Sequence, residues 1–440
     1  MNISLLTLFP KLYEPFLQAS LIGRAHQSGT INTDLVNLLD LTEPKKRIDS
    51  PTVGPGTGML IKPEIMQKAI ESQESAHGKA YKIFFSPQGK KIDQQLLKEL
   101  APVIQQQKHM MLVASRYEGI DTRVEEEYAD LVLSLGDFVL MGGDIPAMAF
   151  LEGILRYMPG IVGKSESVEK DSFTGPWVDY PEYTLPVEWK GRKIPEIVQS
   201  GNHKAIEDWR SEQAAQKTVL NHFQWLRSWA LTDDQKQLAK KAIPAHYMVL
   251  MHDQMRLKDG RIGTTSVTTM DIHDIARSCR TFGVKNYFIS TPLVDQGKIV
   301  QTLLDFWQGG EGIDYNSHRH QAVKNVRLVK SFEDTVKTIE KQEGKKPIVI
   351  ATSAQKHENI PVLAFSDQDK VWNLDRPVLI VLGTAYGLSD AILEQCDYIL
   401  APIEGFSDFN HLSVRSAAGI ILDRWLGINQ RYSQLANVEK

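Results

Sequence analysis

Short apolar runs alternate with segments of helical periodicity along most of the chain. In the first third of the sequence the apolar runs span residues 3–9, 80–85, 110–114 and 137–140. The segments with helical periodicity span residues 11–25, 92–100 and 146–157. Short apolar runs bounded by turns are typical of strands buried on both faces, and strands separated by helices pair in parallel. The alternation therefore predicts an α/β fold whose mainly parallel sheet is covered by helices on both faces.

The same alternation begins again after Pro244. Further strands are predicted at 247–251, 287–290, 326–329, 348–352, 378–382 and 398–401. Further helices are predicted at 271–282, 298–307, 332–342, 391–395 and 414–425. In both regions a strand, a polar turn that contains glycine, a second strand, a loop and a long apolar helix follow one another. In a chain of 440 residues, this recurrence predicts two related α/β domains rather than one large domain.

The segment between the two regions has a different composition. Residues 160–200 are rich in Pro, Gly, Tyr and charge and show no clear period, which is typical of a long loop or linker. Residues 190–241 carry 10 Lys/Arg against 6 Asp/Glu and predict a small, basic, all-helical unit with the best polyanion surface of the chain. Its aromatic residues either form the unit's own core, which is the favoured interpretation, or stack on bases. They are Trp209, Phe223, Trp225 and Trp229.

Charge and cysteine content exclude several classes of protein. The formal charge is −4, from 50 basic and 54 acidic residues, so any polyanion site must be local. Cys279 and Cys396 are the only cysteines, which excludes a disulfide framework and a four-cysteine zinc site and suits a reducing compartment. No apolar run reaches 18 residues, and the N-terminal run lacks a basic segment before it. We therefore expect a cytoplasmic protein without a membrane partner.

Glycines that follow apolar runs are the first candidates for a ligand site. They are Gly119, Gly142, Gly143, Gly383, Gly387 and Gly405. Ligands of open α/β sheets bind at the carboxyl ends of strands, and glycine lets a ligand approach the backbone closely. Each glycine alone is more typical of an ordinary turn, but the two parallel sets indicate a small-molecule site in each domain. The run Gly54–Gly58 lacks the Lys-Ser/Thr ending of a phosphate-binding loop, so it predicts a flexible, substrate-facing loop.

Arg156 and the acidic stretch Glu166–Asp171 flank the long irregular segment rather than a packed element. A carboxylate near a guanidinium is most often a structural ion pair. The alternative is catalytic, with an Asp that accepts a proton and an Arg that stabilises developing negative charge. On the residues alone, both interpretations stay open.

Five strings in the first half, in this order and spacing, are similar to those of one protein family. They are Ser86–Gly89, Arg116–Asp121, Gly136–Ala147, Asp171–Phe173 and Ser200–His203. Residues 1–240 thus resemble the bacterial tRNA (guanine-N1)-methyltransferases of the SPOUT class, the TrmD family, along essentially the family's full length. The resemblance implies a trefoil-knotted α/β domain, an exception to the rule that chains do not thread loops. It also implies a homodimer whose active site is shared between the subunits.

The resemblance further implies that S-adenosylmethionine is the methyl donor and that guanine 37 of tRNA, next to the anticodon, is the target. Asp171 matches the family's proposed general base, and Arg156 matches the residue that stabilises charge moving onto O6. Magnesium assistance is also implied, with Glu118 or Asp171 as its neighbours, although no motif assigns metal ligands. The residues implied to bind the cofactor are Ser86, Pro87, Gln88, Tyr117, Glu118, Gly119, Gly136, Leu140, Gly142, Gly143 and Pro146.

The resemblance also implies that the basic helical unit holds the anticodon stem-loop. Such contacts run mainly through phosphates, which makes binding strongly dependent on salt. The residues expected at the RNA are Gly58, Asn202, His203 and Arg210. The loop 49–59 departs from the family because it is one residue longer than the commoner version.

Residues 245–440 lie outside the usual enzyme of this family. Leu382–Leu388, Ile399–Ile403 and His411–Ala418 are similar to the three cofactor loops of SPOUT RNA methyltransferases. The domain resembles a small bacterial family of predicted RNA methyltransferases, to which residues 264–276 are also similar. This implies S-adenosylmethionine binding by Gly383, Gly387, Ile403 and Leu412. Ala385 and Ser413 stand where many relatives carry Glu and Asn, which leaves catalysis and target open.

The predicted architecture is α/β, with two tandem SPOUT domains and a small all-helical domain between them. The expected boundaries are 1–160 for the first methyltransferase domain, 161–190 for the linker, 191–243 for the helical tRNA-binding domain and 244–440 for the second SPOUT-like domain. The leading hypothesis is an enzyme that methylates N1 of guanine 37, with a second RNA methyltransferase of unknown target. In one alternative the C-terminal domain is a non-catalytic RNA-binding or dimerisation module. In another the whole chain is a non-catalytic RNA-binding regulator.

Overall fold

The structure is a computed structural model that describes residues 1–162 and 171–428. The chain divides into two compact units, one from Met1 to Gly175 and one that begins at Pro176. Of the acidic stretch Glu166–Asp171, only Asp171 lies within the described residues. None of the described helices is long and apolar enough to cross a bilayer.

The first unit is built on one parallel sheet. Its strands are β1 (Asn2–Thr7), β2 (Asn32–Asn37), β3 (Asp49–Pro51), β4 (Met59–Ile61), β5 (Tyr81–Lys91), β6 (His109–Val113) and β7 (Leu131–Ser134). Its helices are α1 (Glu14–Gln18), α2 (Ser20–Gln27), α3 (Pro63–His77), α4 (Gln94–Gln105), α5 (Thr122–Tyr128) and α6 (Asp144–Leu155). The sheet has the order β2-β1-β6-β5-β7, and β3 pairs with β4 in a separate antiparallel hairpin. All five residues of β6 are buried, as a central strand with both faces covered requires.

The predicted strand at 137–140 is wrong. The last strand of this sheet is β7, which pairs with β5 and ends at Ser134. The Ser134 hydroxyl donates to Gly136 O at 3.1 Å and accepts from Gly136 N–H at 3.3 Å, and this turns the chain out of the sheet. The apolar residues that follow lie in an exposed loop, where Val139 is 83% exposed.

The second unit contains a hairpin, a group of helices and a larger parallel sheet. Its strands are β8 (Glu188–Trp189), β9 (Arg192–Lys193), β10 (His246–Met251), β11 (Met255–Arg256), β12 (Ile262–Gly263), β13 (Asn286–Ser290), β14 (Val326–Val329), β15 (Ile348–Ala351), β16 (Val362–Leu363), β17 (Val378–Gly383) and β18 (Tyr398–Leu400). Its helices are α7 (Glu196–Gln199), α8 (His203–Asn221), α9 (Phe223–Leu226), α10 (Asp233–Ala242), α11 (Thr269–Thr281), α12 (Val294–Gln308), α13 (Gly310–Tyr315), α14 (Ser317–Val323), α15 (Phe332–Glu343), α16 (Gln368–Trp372), α17 (Asp390–Leu393) and α18 (Val414–Leu426).

The two sheets share one strand order. The larger sheet runs β14-β13-β10-β17-β15-β18-β16. Its inner part, β13-β10-β17-β15-β18, matches β2-β1-β6-β5-β7 strand for strand in chain order. In the first sheet β6 lies between β1 and β5, although it follows both along the chain. In the second sheet β17 lies between β10 and β15 in the same way. The predicted α/β class, with a parallel sheet in each of two related regions, is confirmed.

The helices α8, α9 and α10 share a hydrophobic core with the larger sheet. Phe223 and Leu226 are buried in the same cluster as Met248 of β10 and Trp372 of α16. The rings of Phe223 and Trp372 meet edge to face, with centroids 4.7 Å apart. Phe223 thus packs on the second sheet rather than in a core of the helices alone. The boundaries 191–243 for a separate helical domain stay a prediction.

Candidate active sites

A cavity of about 410 Å³ lies in the first unit at the carboxyl ends of β6 and β7 and at the irregular part of β5 that follows Phe85. Open α/β sheets bind their ligands at this edge. Gly136 lies outside the lining, against the Phe138 ring, where a Cβ atom would come within 2.7 Å of Phe138 Cε1. The other predicted cofactor-binding residues of this unit all line the cavity: Ser86, Pro87, Gln88, Tyr117, Glu118, Gly119, Leu140, Gly142, Gly143 and Pro146.

Two loops approach each other closely along one wall of this cavity. Arg116 pairs with Gly142 in an isolated antiparallel bridge, and the Gly143 N–H donates to Ser115 O at 2.8 Å. A Cβ atom on Gly142 would lie 2.9 Å from Ser115 O, and one on Gly143 would lie 2.9 Å from Ser115 N. Both positions therefore require glycine, because any side chain would force the two backbones apart.

The turn after β6 has an unusual backbone conformation. Tyr117 has φ +60° and Gly119 has φ +120°, and a bulky residue with positive φ is strained by about 1–3 kcal/mol. The hairpin β3–β4 holds this turn, since Glu118 N–H donates to Met59 O at 3.0 Å and Ile61 N–H donates to Gly119 O at 3.1 Å. A Cβ atom on Gly58 would overlap the Glu118 side chain. The structure thus places Gly58, expected at the RNA, beside a residue that lines the cavity.

Asp144, the first residue of α6, joins three elements beneath the cavity. Its carboxylate is almost completely buried and accepts hydrogen bonds from Thr7 Oγ1 at 2.6 Å, Tyr13 OH at 3.1 Å and Arg116 Nε at 2.9 Å. Burial and this carboxylate raise the pKa of Tyr13, so its hydroxyl stays protonated and donates. The network fixes Arg116, and through it the Tyr117 turn. No sequence spacing indicated Asp144, because its partners lie far away along the chain.

Arg156 and Asp171 form the ion pair that the sequence suggested. Arg156 is the residue directly after α6, and its Nη2 atom donates to Asp171 Oδ2. The two side chains are 43% and 30% exposed. Neither residue lines the cavity described above. The structure therefore brings the two predicted catalytic residues together, but not onto the cofactor-site wall of the same chain.

The other residues expected at the RNA lie in the second unit. Asn202 caps α8, because its side-chain oxygen accepts from Ala205 N–H at 3.2 Å, and His203 begins the helix. The Arg210 guanidinium lies over the Tyr180 ring, 4.6 Å from its centroid. Asn202 and Arg210 thus have local structural partners in addition to their expected role.

The second unit has a larger cavity, of about 770 Å³, at the carboxyl ends of β15, β17 and β18. The four residues predicted to bind a cofactor there, Gly383, Gly387, Ile403 and Leu412, all line it. Residues 352–355, which follow β15, also line it. The sequence reasoning missed this segment, although the repeat places it where Ser86–Gln88 lie in the first unit.

The strained turn of the first unit occurs again in the second. Ala385 has φ +50° and Gly387 has φ +104°, in the same spacing as Tyr117 and Gly119. In both turns the residue after the glycine forms an isolated bridge with a neighbouring strand. Ile120 pairs with Ile61 of β4, and Leu388 pairs with Met255 of β11. Two copies of one strained turn at corresponding strand ends indicate that both units hold the same kind of ligand.

A partly buried chain of hydrogen bonds supports the wall of the second cavity. Thr384 Oγ1 donates to Met251 O at 3.0 Å and lies 2.6 Å from Thr265 Oγ1, which lies 3.0 Å from His252 Nδ1. Since Thr384 donates to the carbonyl, Thr265 donates to Thr384 and His252 Nδ1–H donates to Thr265. Burial lowers the pKa of His252 to about 4, so the ring is neutral at pH 7.

Comparison with known proteins defines the class to which this fold and these cavities belong. Residues 1–228 match the family model described as tRNA (Guanine-1)-methyltransferase TrmD. Residues 245–427 match the model described as SAM-dependent RNA methyltransferase. The chain is therefore an RNA methyltransferase with two such domains, and its methyl donor is S-adenosylmethionine.

Full-length relatives specify the family. The tRNA (guanine-N(1)-)-methyltransferase of Oleidesulfovibrio alaskensis is 37% identical over 433 residues, 97% of this chain and 99% of the relative. That of Nitratidesulfovibrio vulgaris is 36% identical over the same shares of both chains. That of Fusobacterium nucleatum is 41% identical over 239 residues, 54% of this chain and 96% of the relative. The chain belongs to the tRNA (guanine-N(1)-)-methyltransferase family, so the predicted family and enzyme class are confirmed.

Proposed function

We propose that the first domain methylates N1 of guanine 37 in tRNA, next to the anticodon, with Asp171 as general base and Arg156 as the residue that stabilises charge on O6. The observation that carries this proposal is the Arg156–Asp171 ion pair at the end of α6. The first turn of the same helix lines the cofactor cavity through Pro146. Helix α6 thus contributes Pro146 to the cofactor site at its start and positions the Arg156 guanidinium at its end.

The first cavity fits S-adenosylmethionine by size and by chemistry. A volume of about 410 Å³ is within the range of sites that bury a small ligand. The close packing of Gly142 and Gly143 against Ser115 lets this loop form one wall of the cavity without side chains that would fill it. Carboxylates of Glu118 and Glu125 line the cavity and suit a ligand that carries a sulfonium and an ammonium group. Apolar walls from Leu133, Leu140 and Pro146 suit an adenine ring.

The chain's own residues supply what the methyl acceptor needs. S-adenosylmethionine supplies a methyl group on a sulfonium that is already a strong donor. Guanine N1 carries a proton and is a weak nucleophile until that proton leaves, so Asp171 accepts it. The charge that moves onto O6 is stabilised by the Arg156 guanidinium. The loops described above hold the two reactants in line, which accounts for a large part of such a rate enhancement.

A homodimer with a knotted domain completes the proposal. Because the Arg156–Asp171 pair lies off the cavity wall of its own chain, a site shared between two copies accounts for its position. Apolar side chains on and near the cofactor loops are exposed in a single copy, and a second copy would cover them; they are Phe138, Val139, Met141 and Ile145. The position of β6 between β1 and β5 is the arrangement that a threaded chain produces.

The basic segment 191–243 is proposed to hold the anticodon stem-loop, with Gly58, Asn202, His203 and Arg210 near the RNA. Exposed cations of the hairpin β8–β9 and of α8 and α10 support this role; among them are Lys190, Arg192, Lys193, Lys204, Lys240 and Lys241. Magnesium assistance has no assigned site, because the described part of the chain contains no cluster of three His, Cys, Asp or Glu. No step of the reaction is derived through a metal.

For the second domain we propose binding of S-adenosylmethionine and methylation of a second RNA position, with a non-catalytic RNA-binding or dimerisation module as the alternative. The second cavity and its strained Ala385–Gly387 turn support the binding of the donor. Ala385 leaves no carboxylate in that turn, which is the observation that favours the alternative.

The first-domain proposal is tested by primer extension on tRNA transcripts that carry or lack guanine at position 37, since a methyl group on N1 blocks base pairing. We expect Asp171→Asn to lose about 10²–10⁴-fold in rate while it keeps binding S-adenosylhomocysteine. Asp137→Asn is the matched control, because Asp137 is an exposed carboxylate paired with Lys91. Full activity of Asp171→Asn would contradict the role of the base.

The second-domain proposal is tested by calorimetric titration of the full chain with S-adenosylhomocysteine. Two equivalents per chain are expected. Binding of one equivalent, lost in Gly143→Ala, would leave only the first site and favour the non-catalytic module.

A further inference from the structure

The second cavity has a wall with no counterpart among the described residues that line the first cavity. The lining of the first cavity begins at Phe84, whereas the second cavity is also lined by Thr265, Ser266 and Asp271, from the segment between β10 and the start of α11. This wall accompanies the larger volume, about 770 Å³ against about 410 Å³. Most of the remaining lining comes from the loops expected to hold the cofactor and from the start of α18. The extra wall is therefore in the right place for a second reactant.

Asp271 provides the only carboxylate among the described residues that line this cavity. Its side chain is 13% exposed, and its Oδ1 atom lies 3.4 Å from Arg415 Nε. Its Oδ2 atom accepts from Thr268 Oγ1 at 2.6 Å. The guanidinium and the hydroxyl hold the carboxylate in one position, and the distance to Arg415 leaves Oδ1 without a close hydrogen bond from that group. A mostly buried carboxylate held at a cavity wall is suited to accept a proton.

Capping of α11 explains only part of this arrangement. Thr268 is the N-cap residue and accepts from Asp271 N–H at 3.2 Å, so a carboxylate at position 271 also favours the positive end of the helix. An Asn side chain would keep an oxygen for the Thr268 hydroxyl. The capping role therefore does not need the charge, while removal of a proton from a substrate does.

We propose that Asp271 is the general base of the second domain and that Thr265, Ser266 and Asp271 form its acceptor subsite. This rests on the proposed binding of S-adenosylmethionine by the second domain. The acceptor is an RNA group that carries a proton, either a ring N–H next to a carbonyl or a ribose hydroxyl. Its N–H or O–H bond breaks and the proton goes to Asp271. The new bond from N or O to the methyl carbon forms as the S–CH₃ bond breaks, which leaves a neutral thioether. Arg415 acts as a positioning residue for the carboxylate.

The experiment uses the full chain with Asp171→Asn in the first domain as the parent. Total RNA from cells lacking the gene is incubated with S-adenosylmethionine labelled in the methyl group, and the labelled nucleosides are identified by mass spectrometry. We expect one labelled nucleoside other than 1-methylguanosine, and its identity distinguishes a base nitrogen from a ribose hydroxyl. Added Asp271→Asn is expected to lower its rate about 10²–10⁴-fold, with two equivalents of S-adenosylhomocysteine still bound.

Two matched variants separate catalysis from structure. Asp274 lies one turn along α11, also faces Arg415, at 3.4 Å, and does not line the cavity, so Asp274→Asn is expected to keep the parent's rate. His411 lines the cavity too, and a loss in His411→Asn with full activity in Asp271→Asn would overturn the proposal. So would a parent that binds two equivalents but labels no further nucleoside. Binding of a single equivalent would instead refute the second-domain function, and formation of 1-methylguanosine at the wild-type rate would refute the role of Asp171.

Discussion

Replacement of Asp144 tests how the first cavity is built. Asn at this position keeps one oxygen for the hydroxyls of Thr7 and Tyr13 but presents an NH₂ group to Arg116 Nε, so the charge-assisted hydrogen bond at 2.9 Å is lost. Such a bond contributes about 1.5–3 kcal/mol. Because the Arg116 side chain is partly exposed and can regain water, we expect the lower half of that range, about 2 kcal/mol.

This loss of stability has a measurable size. For a unit that ends at Gly175, 1 kcal/mol corresponds to roughly 2–4 °C in Tm, so scanning calorimetry of Asp144→Asn should show one transition lowered by about 4–8 °C. Arg116 precedes the Tyr117 turn and bridges to Gly142. We therefore expect the affinity of the first site for S-adenosylhomocysteine to fall about tenfold, which is 1.4 kcal/mol, while the second site is unchanged.

Asp137→Asn is the control for Asp144→Asn. The Asp137 carboxylate is 85% exposed and pairs with Lys91, and exposed ion pairs contribute about 0–1 kcal/mol. The reasoning is refuted if Asp144→Asn melts with the wild type and binds both equivalents with wild-type affinity. It is also refuted if Asp137→Asn is equally destabilised, since the effect would then come from charge alone.

Three further predictions concern close packing, pH and salt. Gly143→Ala places a Cβ atom 2.9 Å from Ser115 N, whereas Gly175→Ala, the control, meets nothing within 4 Å. The overpacking at Gly143 costs about 1–3 kcal/mol. Calorimetric titration should therefore show a loss of about 10–100-fold in first-site affinity for Gly143→Ala only. Burial lowers the pKa of His246 to about 4, below its value of about 6.5 in the unfolded chain. The contribution of the neutral His246 ring to the free energy of unfolding is therefore complete above about pH 6.5 and is lost as the pH falls through about 4. Burial also lowers the pKa of His252 to about 4, so the second unit of the wild type loses stability through both histidines over this window. In urea unfolding the loss should be smaller in His246→Gln by up to about 3 kcal/mol, and equal losses would contradict the assignment. Filter binding of tRNA should weaken steeply between 50 and 200 mM salt, roughly 10³-fold or more if six phosphates are contacted, and a flat response would exclude phosphate contacts as the main source of affinity.

Strands with both faces covered were predictable because burial makes them continuously apolar, as β6 and β17 show. The edge strand β2 (Asn32–Asn37) was missed because its exposed side chains are polar and break the apolar run. The run 137–140 gave a false strand for the opposite reason. Its apolar residues lie in an exposed loop beside the cavity, and an apolar run alone does not distinguish an exposed apolar surface from a core.

The candidate sites were predictable where a local conformation demands a residue type. Glycines such as Gly142 and Gly387 follow strands and recur in both halves. This repetition is what allowed them to be predicted as ligand-site residues. Asp144 was not predictable, because its partners Thr7 and Tyr13 are brought to it only by the fold. Residues 264–276 were recognised only by similarity, and no role was predicted for Asp271, since the described lining of the first cavity has no corresponding wall.

The core that α8, α9 and α10 share with the second sheet determines where the chain can be divided into fragments that stay soluble. A fragment that stops near Pro244 would expose Phe223 and Leu226, which are buried against the second sheet in the intact chain. Such a fragment is expected to aggregate, whereas fragments that meet between Gly175 and Pro176 keep each hydrophobic cluster whole. Relatives of about half this length, such as that of Fusobacterium nucleatum, are expected to carry polar residues on the corresponding helix faces. The helices α8, α9 and α10 are therefore expected to depend on the second sheet for their solubility.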